Sequence, residues 1–148
     1  MITNEVQYRA TKTHLDRFED AAANIEREVA AGRRTKLQQL EIDAVRAQAE
    51  DLRAELREYE RLRDGDTTVI EASSLAGLAD ALIQVRIARG WTQRHLADRL
   101  GVAEQQVQRY ESSSYRSASL ARLCDIAEAL GVTFTQRAEL HRTPADVA

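Results

Sequence analysis

Gly101 separates two apolar patterns that are each too short to stand alone as a helix, and this constrains the fold of the 148-residue chain more than any other feature. On one side, Leu96, Ala97 and Leu100 recur at helical spacing; on the other, Val107 and Tyr110 stand three apart, with Val102 between the two groups. Isolated helices of fewer than about twelve residues are marginal in water, so both must bury their apolar faces on each other and on neighbours. Glycine reaches positive φ without steric cost, so Gly101 can reverse the chain in a few residues. Thr92 falls where an N-cap belongs, its hydroxyl placed to accept from amides of the first turn. Ala97 matters for its small size, because a bulkier residue would hold the second helix away. The expectation is two short helices crossing over a tight glycine turn.

With Val107 and Tyr110 turned inward, the second helix leaves Gln105, Gln106, Gln108 and Arg109 outward or on its flanks. Glutamine can pair bidentately with adenine and arginine with guanine at the edge of the major groove. Amides at the two helix starts, with Thr92 and Gln93, are placed to hold phosphates. Arg86, Arg89, Arg94 and Arg99 read equally as a solvated face or as phosphate contacts, and Arg94 is taken into the candidate interface. From Arg86 to Arg122 seven arginines stand against three acids, whereas residues 1–74 carry twelve basic and sixteen acidic side chains. A basic island in an acidic chain points to a local anionic partner, here double-stranded DNA.

Gln93–Val102, then Val107–Glu111, then Ser119–Val132 with its closing Leu130-Gly131-Val132, resembles the Cro/phage-repressor (xenobiotic-response-element) family of helix-turn-helix domains. The resemblance runs from about Leu78 to Phe134, a little over a third of the chain. It implies a compact four- or five-helix domain, commonly dimeric, whose third helix enters the major groove. Carried onto this sequence, Thr92 and Gln93 would touch the DNA backbone, and Gln105, Gln106 and Arg109 would reach base edges. Glu104 departs from that picture, since a carboxylate suits a helix start but repels phosphate. The loop Ser112–Ala118 lacks the usual Gly and Pro, while its Arg116 is a phosphate candidate.

The N-terminal half carries a different pattern. Leu15, Phe18, Ala22, Ile25 and Val29 form one stripe at spacings of three and four. Ile42, Val45, Ala49, Leu52, Leu56 and Tyr59 form another. Gly32 is a natural stop between them, with Arg33, Arg34 and Lys36 as a solvated link, and Asp64-Gly65-Asp66 ends the second stripe as a turn. Two such helices fold back most simply as an antiparallel hairpin. Each stripe is short for an isolated coiled coil, so the hairpin should pack further, on its copy in a dimer or on the C-terminal domain.

The expected architecture is therefore all-α: a coiled-coil-like hairpin over 1–64, a linker over 65–74, a helix-turn-helix bundle over 75–142 and a frayed tail over 143–148. Ser73 and Ser74 are N-cap candidates for the helix that opens the bundle. β-branched Thr67–Glu71 and the segment 132–137 are candidates for two short strands.

Other chemistries find little support. His14, His95 and His141 are far apart and adjoin no paired cysteines, so neither a zinc site nor a cofactor is expected. Cys124 reads as a small core residue beside Leu120, Leu123 and Ala127; a single cysteine fits a reducing compartment. No phosphate-binding loop, catalytic triad or metal-ligand spacing marks an enzyme. No signal peptide or membrane-spanning run is visible, which suggests a cytoplasmic protein. Two functions fit: a dimeric, sequence-specific transcriptional regulator acting as a repressor, or an antitoxin that autoregulates its operon and neutralises a toxin through residues 1–64.

Overall fold

The computed structural model describes residues 1–30, 35–65, 67–72, 74–135 and 137. Gly32, Arg33, Arg34, Asp66, Ser73, Gln136, His141 and the tail 143–148 lie outside the described residues, as does the side chain of Val29. Among the described residues there are six helices: α1 (Glu5–Ala30), α2 (Lys36–Asp64), α3 (Leu75–Ala88), α4 (Gln93–Leu100), α5 (Glu104–Ser112) and α6 (Leu120–Ala129). The chain is all-α, and none of these helices is long and apolar enough to cross a membrane.

Helices α1 and α2 run antiparallel, because residues early in one meet residues late in the other. The Tyr8 hydroxyl donates to Glu60 at 2.6 Å, Arg53 pairs with Glu19 at 2.6 Å, and Arg46 pairs with Glu26. Each start is capped by its own sequence. Asn4 Oδ1 accepts from the Gln7 amide at 2.9 Å, and Thr35 with Gln38 forms a reciprocal capping box. Ile42, Ala49 and Leu56 of the α2 stripe are buried, whereas Leu15, Phe18, Ala22 and Ile25 of α1 are only half-buried. A seam between two helices shields one flank of each stripe and leaves the other open.

The base of the hairpin finds its cover in the C-terminal helices. Ile2, Leu56, Tyr59 and Leu62 enter one core with Leu82, Ile83, Ile87, Leu96, Ala97, Val107, Ile126 and Leu130. Burying a side chain such as Leu62 contributes about 1.5–3 kcal/mol, so this junction holds the hairpin firmly. Tyr8 stacks on Tyr59 with centroids 5.3 Å apart, and the Arg63 guanidinium lies 5.0 Å from the Tyr8 ring centroid.

Two sequence expectations are corrected. Neither 67–71 nor the described part of 132–137 is a strand, and no strand occurs among the described residues. The two segments line one cleft together with Val85, Ala88 and Arg89 without pairing in a ladder. Ile70 of the first segment and Val132 and Phe134 of the second pack on the core. Cys124 is exposed, not a core residue, and Leu120 is 68% exposed. The inward stripe of α6 is Leu123, Ile126, Ala127 and Leu130; Cys124 sits one residue, about 100° of helix, off it.

Candidate nucleic-acid interface

Helices α4 and α5 are joined as their sequence requires. The Thr92 hydroxyl accepts from the His95 amide at 3.1 Å and fixes the start of α4. Gly101 ends that helix at φ +66°, in the left-handed region, and the Val102 amide donates back to the Ala97 carbonyl at 3.0 Å. Leu96, Ala97 and Val107 are buried to within 1% exposure, so the two helices meet through the small Ala97 without a gap. Such a junction fixes the attitude of α5, and with it the direction of every side chain on its outer face.

On that outer face Gln105, Gln108 and Arg109 are exposed, and Gln106 is half-buried. Glu104 is exposed at the start of α5 and accepts from Gln108 Nε2 at 3.2 Å, which ties those two side chains together. Thr92, Arg94 and Arg116 are exposed as well. Gln93 is placed differently. Only 7% exposed, it turns its side chain inward, donating to Glu111 Oε2 at 2.8 Å and accepting from Asn4 Nδ2 at 3.2 Å. Its place as the first residue of α4 leaves the backbone as the part that could face a phosphate.

Beneath α5 lies a buried ion pair that sequence reasoning missed. Arg86 and Glu111 meet through two hydrogen bonds, Nε to Oε1 at 2.5 Å and Nη2 to Oε2 at 2.7 Å, with side chains 2% and 0% exposed. Arg86 Nη1 also donates to the Trp91 carbonyl at 2.7 Å, and Nη2 to the Thr3 carbonyl at 2.6 Å. A bidentate guanidinium–carboxylate pair of this kind is rigid and directional. It ties α3, the loop before α4, the end of α5 and the N-terminal segment to one point. A signal was available: Arg86 follows Leu82 and Ile83 by four and three residues, and Glu111 follows Val107 by four. Two opposite charges on two inward faces must find each other.

The basic surface is accordingly smaller than the arginine count suggests. Arg86 is neutralised inside, and Arg122 pairs with Asp125 at 3.3 Å. The Arg89 and Arg99 guanidinium carbons each lie 5.8 Å from the Trp91 ring centroid, and Trp91 in turn stacks on His95.

The loop from α5 to α6, which lacks Gly and Pro, makes its turn with two non-glycine residues at positive φ, Ser114 at +46° and Tyr115 at +57°. Tyr115 is buried and stacks on Tyr110 at 5.9 Å, while its amide donates to the Tyr110 carbonyl at 2.7 Å. Packing thus holds the backbone where glycine would otherwise be favoured. Among the described residues the Tyr115 hydroxyl has no hydrogen-bond partner, and burial pushes its ionisation well above the ordinary phenol range, with Glu111 adding to the shift.

Residues 82–136 match the family model described as helix-turn-helix. That segment, whose second helix is α4 and whose third is α5, is a helix-turn-helix domain of the Cro/phage-repressor type. No curated protein and no solved structure matches the chain.

Proposed function

We propose, from a helix-turn-helix DNA-binding domain at residues 82–136, that this chain is a sequence-specific transcriptional repressor that binds operator DNA as a homodimer through the major groove. The observation that carries this reading is the two-faced character of α5. Val107 and Glu111 are buried and braced on one side, while Gln105, Gln108 and Arg109 are exposed on the other. Rigid backing with solvent-facing amide and guanidinium groups is what base-edge readout needs. Thr92, Gln93, Arg94 and Arg116 are the proposed backbone contacts, with Gln93 acting through its main chain. Gln106 and Glu104 border the reading face. A dimer would place two α5 helices on half-sites about 34 Å apart.

The test is selection of bound duplexes from a random pool, followed by binding of the recovered sequence. Arg109→Ala is expected to weaken binding by about 1–3 kcal/mol and to relax preference at one base position. An unchanged affinity and base preference would remove α5 from the interface.

Exposed Leu37 and Leu40, each 66% exposed near the closed end of the hairpin, favour a second reading in which residues 1–64 hold a protein partner, as in an antitoxin. Under that reading a toxin co-purifies with the chain, and Leu37→Glu releases it while DNA binding persists. Recovery of a DNA-binding homodimer alone would count against it.

A further inference from the structure

The hydrogen bonds around the buried ion pair close into a ring. Asn4 Nδ2 donates to Gln93 Oε1 at 3.2 Å, Gln93 Nε2 donates to Glu111 at 2.8 Å, Arg86 donates to Glu111 at 2.5 and 2.7 Å, and Arg86 donates to the Thr3 carbonyl at 2.6 Å. Thr3 and Asn4 are consecutive, so the ring starts and finishes at the entry to α1. Its members come from the hairpin's first cap, from α3, and from both helices that build the reading face.

Asn4 has two separate duties here. Its Oδ1 caps α1 by accepting from the Gln7 amide at 2.9 Å, while its Nδ2 holds the side chain that opens α4. Gln93 consequently has both ends of its amide engaged and sets the separation between the start of α4 and the end of α5. The first turn of α1 also opens onto the same cleft as one edge of α5. Asn4 and Val6 share a cleft of about 840 Å³ with Gln93, Gln108 and Ser112, and Val6 is 78% exposed there. A ring of satisfied polar groups behaves as one unit, because each bond polarises the next and an orphaned member is costly.

We infer that Asn4 is a positioning residue for the DNA-reading surface: through Gln93 it locks the start of α4 against α5, so that the hairpin's first turn and DNA engagement are energetically coupled. The inference rests on the proposed DNA-binding role of α4 and α5. Coupling of this kind is reciprocal, so DNA bound at α5 must stabilise the first turn of α1, and whatever moves that turn must alter DNA affinity.

Asn4→Ser separates the two duties, since serine is as good an N-cap as asparagine but is too short to reach Gln93. On a duplex recovered by the wild-type chain from a random pool, Asn4→Ser is expected to bind about fivefold more weakly, the scale of one neutral hydrogen bond. The dependence of affinity on salt should stay as in wild type, because no phosphate contact is lost. Asn4→Ser should cost nothing further in a Gln93→Ala background. Bound duplex should slow amide exchange over residues 5–8 in wild type but not in Asn4→Ser. Equal affinities, additive losses, or a shallower salt slope (Asn4 itself on a phosphate) would each overturn the inference. If the wild-type chain selects no duplex, the DNA reading fails first. The coupling is then read without DNA: Asn4→Ser should shift the Gln93 side-chain amide resonances and speed exchange at His95 and Leu96, with α6 unchanged. Unmoved resonances and exchange would refute it.

Discussion

The hairpin and the helix-turn-helix domain both rely on arginine–carboxylate pairs, but they use them in opposite environments. Arg53 reaches across the hairpin to Glu19 with both side chains about two-fifths exposed, at 40% and 45%. Arg57 and, less strongly, Arg53 hold the Glu50 carboxyl below its ordinary range. These are solvated contacts that choose partners and register while adding little to stability. Arg86 and Glu111 are sealed from water, so their attraction is strong, and so is the cost of leaving either one alone. The same chemistry therefore sets alignment in one half of the molecule and holds the reading helix in place in the other.

The two kinds of pair differ most in what the loss of Arg86 would cost. Arg86→Ala strands the Glu111 carboxylate, and we expect a loss of about 3–5 kcal/mol in chemical unfolding, a large share of a small domain's stability. Replacing both partners with apolar residues of similar volume, Arg86→Met with Glu111→Leu, should recover most of that loss. If the single and double variants were equally destabilised, packing rather than charge would be what the pair supplies.

Tyr115→Phe is next in size. It removes a buried hydroxyl with no partner among the described residues, and stability should rise by about 1 kcal/mol in thermal or chemical unfolding. The same variant has a pH signature. Burial raises the phenol's ionisation in the folded chain. Below about pH 10 both folded and unfolded chains keep the proton, and stability is level. Above it the unfolded chain ionises first, so wild-type stability falls as pH rises toward the folded value. Tyr115→Phe should fall less steeply over that alkaline range.

Ser114→Gly should add about 0.5 kcal/mol, since relief of a left-handed backbone is partly offset by glycine's entropy when unfolded. Arg53→Ala should leave the melting midpoint unchanged and be indifferent to molar salt; a clear drop would show that the hairpin pairs are more than alignment.

Much of this was legible in the chain. The stripe through Ile42, Ala49 and Leu56, the Thr92 cap and the Gly101 reversal all follow from spacing and backbone freedom, which act locally. What spacing could not reveal was how elements far apart in sequence meet. Gln93 looked like an outward polar residue because it opens a helix, and only the approach of Asn4 and Glu111 turns it inward. Cys124 and Leu120 looked buried because α6 is apolar on more than one face, and the core reaches only the stripe through Ile126. The β-branched run Thr67–Glu71 has strand propensity but no neighbouring strand to pair with among the described residues.

The most direct measurement is the affinity of the intact chain for its selected duplex and for a scrambled duplex across a range of salt concentrations. A reading helix backed by phosphate contacts predicts that log affinity falls linearly with log salt, with a slope of several units, and that the selected duplex binds at least about 10³-fold more tightly at physiological salt. Equal, salt-insensitive binding to both duplexes would contradict the account that α5 reads DNA.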